Sequence, residues 1–339
     1  MTSITIIHVA RRAGVSAKTV SRVFNEERYV RAELRDRVLQ AARELNYRPH
    51  ITARSLRGRR AYVVCLLLTV VSPYAVQAQR GALKACQDAG YHLMVEPMDP
   101  GAADALEALV RALSADGMLL IPPLCDDLAL LDVLEAHNVP YVRISPARSP
   151  RRGLTVAVDD EGAARTITDH LLDLGHRRIG FIGGLPDHSA ARQRLKGFRK
   201  AFAARALEIP DNLVVPGRFD FLSGREGAAR LLASDPTPTA IVASNDLDAA
   251  GVMAHAHERG LRLPRDLSVT GFDDDLFAPM LWPPLTTMHQ PIARMAGAAT
   301  DLLIRTAADG APPTRPPPFH CSLVVRGSTA PPRARLVKR

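Results

Sequence analysis

AGVSAKTVSRVFN, residues 13–25, is the stretch that decides how the chain begins. Gly14 can take the left-handed turn that ends one helix, and Ser16 offers the oxygen that caps the next. Upstream, Thr5 caps a short helix in which Ile6, Val9, Ala10 and Ala13 recur at helical spacing. Downstream of Ser16, Val20, Val23 and Phe24 turn inward and leave Ala17, Lys18, Thr19, Ser21 and Arg22 outward. A third helix is predicted from about Ala32 to Leu45, on the repeat Leu34, Val38, Ala41, Ala42 and Leu45. Two short helices joined by a Gly-containing turn and braced by a third make a helix-turn-helix.

Charge points the same way. Residues 1–60 hold 14 Lys/Arg against 5 Asp/Glu, whereas the remaining 279 of the 339 hold 30 of each. The whole net charge of +9 therefore sits in the first sixth of the chain, which implies a polyanion partner for that segment alone. A B-DNA major groove admits one α-helix, and short side chains at the helix start let its backbone approach the base edges. Ala17 and Lys18 are the expected base readers, with Thr19, Ser21 and Arg22 setting register on phosphates or a neighbouring base. A basic interaction bundle is the alternative for such a segment. The next residues weigh against it.

Asn46-Tyr47-Arg48-Pro49 closes the third helix, and HITARSLR (50–57) reads as a further helix of about two turns. An isolated helix needs roughly 12–15 residues in water, so this one is expected to form only against a partner. AGVSAKTVSRVFN followed by ELNYRPHITARSLRG (44–58) resembles the LacI/GalR family of bacterial repressors, with the spacing kept. The resemblance implies that Ser16, Ala17, Lys18, Thr19, Ser21, Arg22 and Asn25 face DNA. It also makes 49–60 a hinge, whose helix folds in the minor groove as a dimer pair with Leu56 wedged into a base step and Ala53 beside it. Arg54, Arg57, Arg59 and Arg60 around Leu56 leave no core for it to join. Two residues depart from the family's pattern. His8 replaces an acidic residue, which is expected to weaken the capping box, and Arg31 replaces a small capping residue.

From Ala61 onward, apolar runs such as Val63–Leu68, Met118–Ile121, Tyr141–Ile144, Arg178–Ile182, Ala240–Ala243 and Leu267–Gly271 alternate with Ala-rich helical stretches. Nearly continuous apolar strands separated by helices imply parallel sheets covered on both faces. The fold class expected is an all-α helix-turn-helix domain (1–48) and hinge (49–60), followed by an α/β core of two doubly wound lobes (61–330) and a basic tail (331–339). The resemblance agrees: cores of this family are similar to periplasmic binding proteins, two lobes crossed by three strands. The crossings are placed near Val158–Asp160, Met288–Pro291 and His320–Ser322. Its later motifs are LGHRRIGFIGG (174–184), RLKGF (194–198), SND (244–246), GFDD (271–274) and PPLTT (283–287).

Ligands of open α/β sheets bind beyond the carboxyl ends of the strands. Those ends supply Ser72 and Tyr74, Asp159, Arg192 and Arg194, Phe219, Asn245 and Asp246, and Asp273, with Gln290 at a crossing. Guanidinium and carboxylate groups each hold adjacent hydroxyls, and an aromatic face packs against the C–H side of a sugar ring. By motif position the resemblance makes Arg194, Asn245 and Asp273 effector-holding residues and Phe219 the aromatic wall. A helix cap is the alternative for Asn245 and the expected role of Asp246, and a surface arginine is the alternative for Arg192. Ser145 stands where many relatives carry an acidic or larger polar residue, which leaves the particular sugar open.

Enzymatic chemistry finds no footing. Asp273, Asp274 and Asp275 have no His or Glu at ligand spacing, so no metal is expected. GFIGGLP lacks the GxGxxG spacing of a dinucleotide loop, so no cofactor is either. The four cysteines show no CxxC spacing and read as buried, reduced thiols. No signal peptide and no run of 18 apolar residues is present, which points to the cytoplasm and away from a membrane. The partners expected are a near-palindromic double-stranded operator, a small-molecule effector, most simply a sugar, and a second copy of the chain. A Pro-rich stretch (Pro312–Pro318) and PPRARLVKR (331–339) stand where tetrameric relatives carry a leucine heptad, so a homodimer is expected. The rival readings are an uptake-type binding protein, against which the basic reader and the absent signal peptide argue, and an enzyme with a DNA-targeting arm, for which no catalytic set exists.

Overall fold

Thr5 stands extended (φ −116°, ψ 166°) at the head of α1 (Ile6–Ala13). His8, expected to weaken the cap, instead completes it: its Nδ1 accepts the Thr5 N–H at 3.0 Å. A neutral imidazole nitrogen offers the same lone pair that a carboxylate would. Gly14 ends the helix at φ 64°, ψ 41°, a left-handed conformation that a β-carbon disfavours. The Val15 N–H then reaches back to the Ala10 carbonyl at 3.0 Å. Ser16 Oγ accepts the Thr19 N–H at 3.1 Å and starts α2 (Ala17–Phe24). The third helix, α3 (Ala32–Glu44), begins at Arg31, whose side chain makes no capping bond. Val9, Val20, Val23, Val38, Ala41 and Ala42 meet in a small core, and Arg37 donates twice to the Ala13 carbonyl (3.2 and 2.9 Å), tying α3 to the end of α1.

This computed structural model describes residues 4–24, 29–45, 47, 60–146, 152–185, 188–309 and 316–333. Asn25, the hinge stretch with Ala53 and Leu56, and the tail beyond Arg333 lie outside them. The chain divides into two compact units, Met1–Tyr62 and Val63–Arg339.

The larger unit contains two lobes. In the first, β1 (Val63–Leu68), β2 (His92–Pro97), β3 (Gly117–Leu120), β4 (Tyr141–Ile144) and β5 (Leu154–Val156) form a parallel sheet in the order β2-β1-β3-β4-β5. Between them run α4 (Pro73–Asp88), α5 (Ala103–Ala112) and α6 (Leu128–Ala136). Leu66, Leu67, Leu119 and Leu120 are fully buried. Each such side chain contributes about 1.5–3 kcal/mol by leaving water, which is why these strands read as unbroken apolar runs. Arg143 of β4 is also fully buried and is held by Asp126 at 2.9 Å.

The second lobe holds α7 (Asp160–Asp173), β6 (Ile179–Ile182), α8 (Ser189–Ala203), β7 (Val214–Val215), α9 (Phe221–Leu232), β8 (Ala240–Ala243), α10 (Asp246–Glu258), β9 (Ser268–Asp273) and β10 (Thr286–His289). The chain then returns to the first lobe as α11 (Ile292–Asp309), packing on α4, β3 and β4, and comes back once more as β11 (Ser322–Val324). The second sheet runs β11-β10-β9-β8-β6-β7. Its strands are parallel apart from β11, which pairs antiparallel with β10. The chain enters there from the side where the parallel strands finish, so it must run back against them. Val158 and Phe319 bridge two of the crossings, with the Phe319 N–H on the Ala157 carbonyl at 2.8 Å. Separate apolar cores lie on the two faces of this sheet, one under α7 and α8, the other under α9 and α10.

Candidate functional site

The start of α2 is a platform of short side chains. Ser16 and Thr19 bond each other through their hydroxyls at 2.9 Å as well as through the cap, so both are fixed before anything binds. Lys18 and Arg22 are exposed, and Ser21 and Thr19 half-buried. Ala17, expected to face outward, is half-buried against the reader's core, because a methyl at the first helical position serves both faces. The face combines fixed hydroxyls with two exposed cations, the kinds of group that can contact phosphates and base edges.

In the larger unit, the carboxyl ends of β1, β4, β6, β8 and β9 converge on a cavity of about 250 Å³ between the lobes. Arg194 of α8 is its centre. The guanidinium donates through Nε to Asp160 Oδ1 at 2.8 Å, through Nη1 to the Ser244 carbonyl at 2.6 Å and through Nη2 to Gln290 Oε1 at 3.1 Å. Asp273 Oδ1 stands 3.6 Å from Nη2, and the Phe272 ring lies 3.6 Å beneath the group's carbon. Burial works against this charge, but Asp160 and Asp273 outweigh it and keep the group protonated. Asp273 is itself held high by burial, with Arg194 pulling the other way. Its backbone sits at φ 105°, outside the regions non-glycine residues normally occupy, and such strain concentrates where ligands bind.

Phe219 forms a wall at φ 62°, its ring edge-on to His188 with centroids 5.0 Å apart. Gly184 makes room for it: a β-carbon there would stand 2.1 Å from the ring. Burial and the neighbouring Arg194 push His188 down to about 4, so the imidazole is neutral at physiological pH. Asn245 caps α10 through Oδ1 (Asp248 N–H, 2.8 Å) and steadies the wall through Nδ2 (Phe219 carbonyl, 3.0 Å). Asp246 beside it is buried and not a cap: it accepts from the Thr287 hydroxyl at 2.6 Å and the Asp275 N–H at 2.7 Å, and burial lifts it to about 7. Gln77 of α4 donates to Asp275 Oδ1 at 3.2 Å and links the lobes across the cleft.

Comparison with known proteins agrees with both halves. Residues 5–50 match the description "Bacterial regulatory proteins, lacI family", and residues 168–329 match "Periplasmic binding protein-like domain". The HTH-type transcriptional repressor PurR of Photobacterium profundum is 34% identical over 333 residues, 96% of this chain and 98% of that one. The chain belongs to the LacI family. The ribose operon repressor of Escherichia coli K12 is 35% identical over 309 residues, 88% of this chain and 92% of that repressor. Among solved structures, the Lac repressor dimer bound to operator and an anti-inducer superimposes with a TM-score of 0.81 at 28% identity, over 97% of this chain and all of that one. A CelR–cellobiose complex does so with 0.75 at 29%, over 96% of this chain and all of that one. The protein is thus a DNA-binding transcription regulator whose operator affinity answers to an effector.

On this LacI-family frame, Ser72, Tyr74, Arg194, Phe219, Asn245, Asp273 and Gln290 line one cavity, as their strand-end positions suggested. Ser72 Oγ also caps α4, accepting the Ala75 N–H at 3.2 Å. Two residues are not brought there. Asp159 spends its carboxylate on capping α7 (Gly162 N–H, 2.8 Å) and lines a different hollow with His320 and Pro317, while its neighbour Asp160 turns into the cleft. Arg192 is exposed on the outer side of α8, since a helix sets residues two apart on opposite faces. Asp275, Gln77, His188 and the apolar Leu185 and Leu247 were not foreseen. The rule that ligands gather at strand ends would have reached Asp275, but nothing in the sequence announces Gln77. Among the described residues, no group of His, Cys, Asp and Glu could hold a metal, and no helix is long and apolar enough to cross a membrane.

Proposed function

We propose that this regulator is a repressor that works in the cytoplasm as a homodimer on a near-palindromic operator, and that a sugar in the interlobe cleft sets its operator affinity. The reading rests on one observation: a guanidinium, two carboxylates and an amide (Arg194, Asp160, Asp273, Asn245) meet beside an aromatic wall, Phe219. Paired hydroxyls suit the polar groups, and the apolar face of a ring suits the wall. The ribose operon repressor and the CelR–cellobiose complex, both similar to this chain, carry sugars in their names. From the sequence, the link between cleft and operator is assigned to residues 49–60, with Ala53 and Leu56 in the minor groove. A ligand that prefers one angle between the lobes shifts the population competent to bind DNA.

A melting-temperature screen of the full chain against mono- and disaccharides tests the cleft. Anisotropy on a duplex selected from random sequence, with and without the hit, then tests the coupling. The expected result is a sugar that raises the melting temperature and changes duplex affinity. A sugar that stabilises the protein but leaves duplex affinity unchanged overturns the regulatory reading, and unchanged operator affinity in Leu56→Ala removes the wedge.

A further inference from the structure

The cleft has more acid than base, and its cations are already committed. Arg194 is taken up by Asp160 at 2.8 Å, the Ser244 carbonyl and Gln290. Arg218, the other arginine that lines the cavity, sits at its rim half-exposed, paired with Asp220 at 3.2 Å and Glu226 at 3.3 Å. Among the described residues, Asp273 and Asp275 have no comparable partners: Asp273 Oδ1 accepts no hydrogen bond from any of them, although the residue is only 5% exposed, and its contact with Arg194 is the 3.6 Å one. Asp275, 2% exposed, takes only a neutral donor on Oδ1, the Gln77 amide. A buried carboxylate oxygen without a donor is destabilising on its own, and a ligand hydroxyl would satisfy it. A second anion placed there would face Asp275, lifted to about 6 and so still ionised at neutral pH, and would have to share the cavity with Asp273, with no uncommitted cation among the described residues that line it.

We infer that the cleft admits an uncharged ligand and turns away phosphorylated and carboxylated counterparts, with Asp273 and Asp275 as the excluding residues. The inference rests on the reading that the effector occupies this cleft, but it concerns charge and not the identity of the ligand.

Calorimetry on the full chain tests it with matched pairs: D-ribose against ribose 5-phosphate, and D-glucose against glucose 6-phosphate and glucuronate. Hypoxanthine serves as an uncharged ring that is not a sugar. The expected result is that an uncharged member binds at least tenfold more tightly than its anionic counterpart. Asp275→Asn, which keeps an oxygen for Gln77, and Asp273→Asn should each shrink that ratio at least threefold. A phosphate or uronate that binds as tightly as its neutral partner overturns the charge rule. So does a ratio that neither substitution moves. Binding of hypoxanthine with no sugar bound would sink the sugar reading and leave the charge rule standing.

Discussion

Arg194 and Asp160 form an ion pair at 2.8 Å in which neither side chain is more than one-tenth exposed. One residue begins the second turn of α8 and the other opens α7, directly after the first crossing between the lobes. The pair therefore ties the floor of the cleft to the segment that crosses between the lobes. Asp273 stands 3.6 Å from the same guanidinium, so a single positive charge is shared unequally between two buried acids.

Arg194→Ala should be expensive twice. Removing one partner of a buried pair leaves the other uncompensated, at a cost of about 3–5 kcal/mol in unfolding free energy. Effector affinity should fall at least about tenfold. Denaturant unfolding and calorimetry read the two effects separately. Arg194→Met with Asp160→Leu should recover part of the stability but none of the binding. Unchanged effector affinity in the single variant would mean that the ligand sits elsewhere.

Gly184→Ala should act on the wall without touching a polar group. Its β-carbon would stand 2.1 Å from the Phe219 ring, which must swing away. Effector affinity should fall to the level of Phe219→Ala, with duplex binding in the absence of ligand preserved. A variant that binds effector normally would show that Phe219 does not need its present position.

Lys18→Ala should change which bases are preferred when duplexes are selected from a random pool, because Lys18 is exposed at the reading end of α2. If the selected motif stays the same while affinity drops uniformly and the salt slope falls by about 1, Lys18 contacts phosphate instead.

Stability should depend on pH through Asp248. Burial lifts this carboxyl to about 7, and its Oδ2 has no partner among the described residues, while Oδ1 takes the Ser223 hydroxyl at 2.7 Å. The folded form holds its proton to higher pH than the unfolded one. Stability is therefore greatest below the ordinary carboxylate range and is lost as pH rises from about 4 to about 7. The slope is at most about 1.4 kcal/mol per pH unit for each such group. Asp246, also lifted to about 7, adds to the effect. His188, held down to about 4, contributes in the opposite sense below about 6.5, so the effect is read as a difference: in melting curves from pH 5 to 8, Asp248→Asn should gain on the parent chain as pH rises. An identical slope in the variant would place the titration elsewhere.

Most of the architecture was legible because it rests on local rules. Gly14, Ser16 and the spacing of Val20 and Val23 specify the reader within two turns of chain. Leu66, Leu67, Leu119 and Leu120 mark buried strands by having no polar neighbour to alternate with. The site was legible only to the resolution of a strand end. Whether Asp159 or Asp160 enters the cleft depends on which of two adjacent acids caps α7, and both can. Arg192 and Arg194 differ only by helical phase. His8 misled because sequence pattern knows capping boxes by their acids, whereas the backbone asks only for a lone pair. Gln77 stayed hidden because its partner, Asp275, is 198 positions away.

Neither lobe is written in one piece. α11, which covers part of the first sheet, comes after every parallel strand of the second. A nascent chain that has made β5 has all five strands of the first sheet, yet β3 and β4 must wait for their helical cover until α7 through β10 have been synthesised. During that interval Leu119 and Val142 lack their final neighbours, which leaves an early opening for aggregation and for chaperones. Severing the gene between the lobes should yield two insoluble halves where a simple two-domain protein would yield two folded ones.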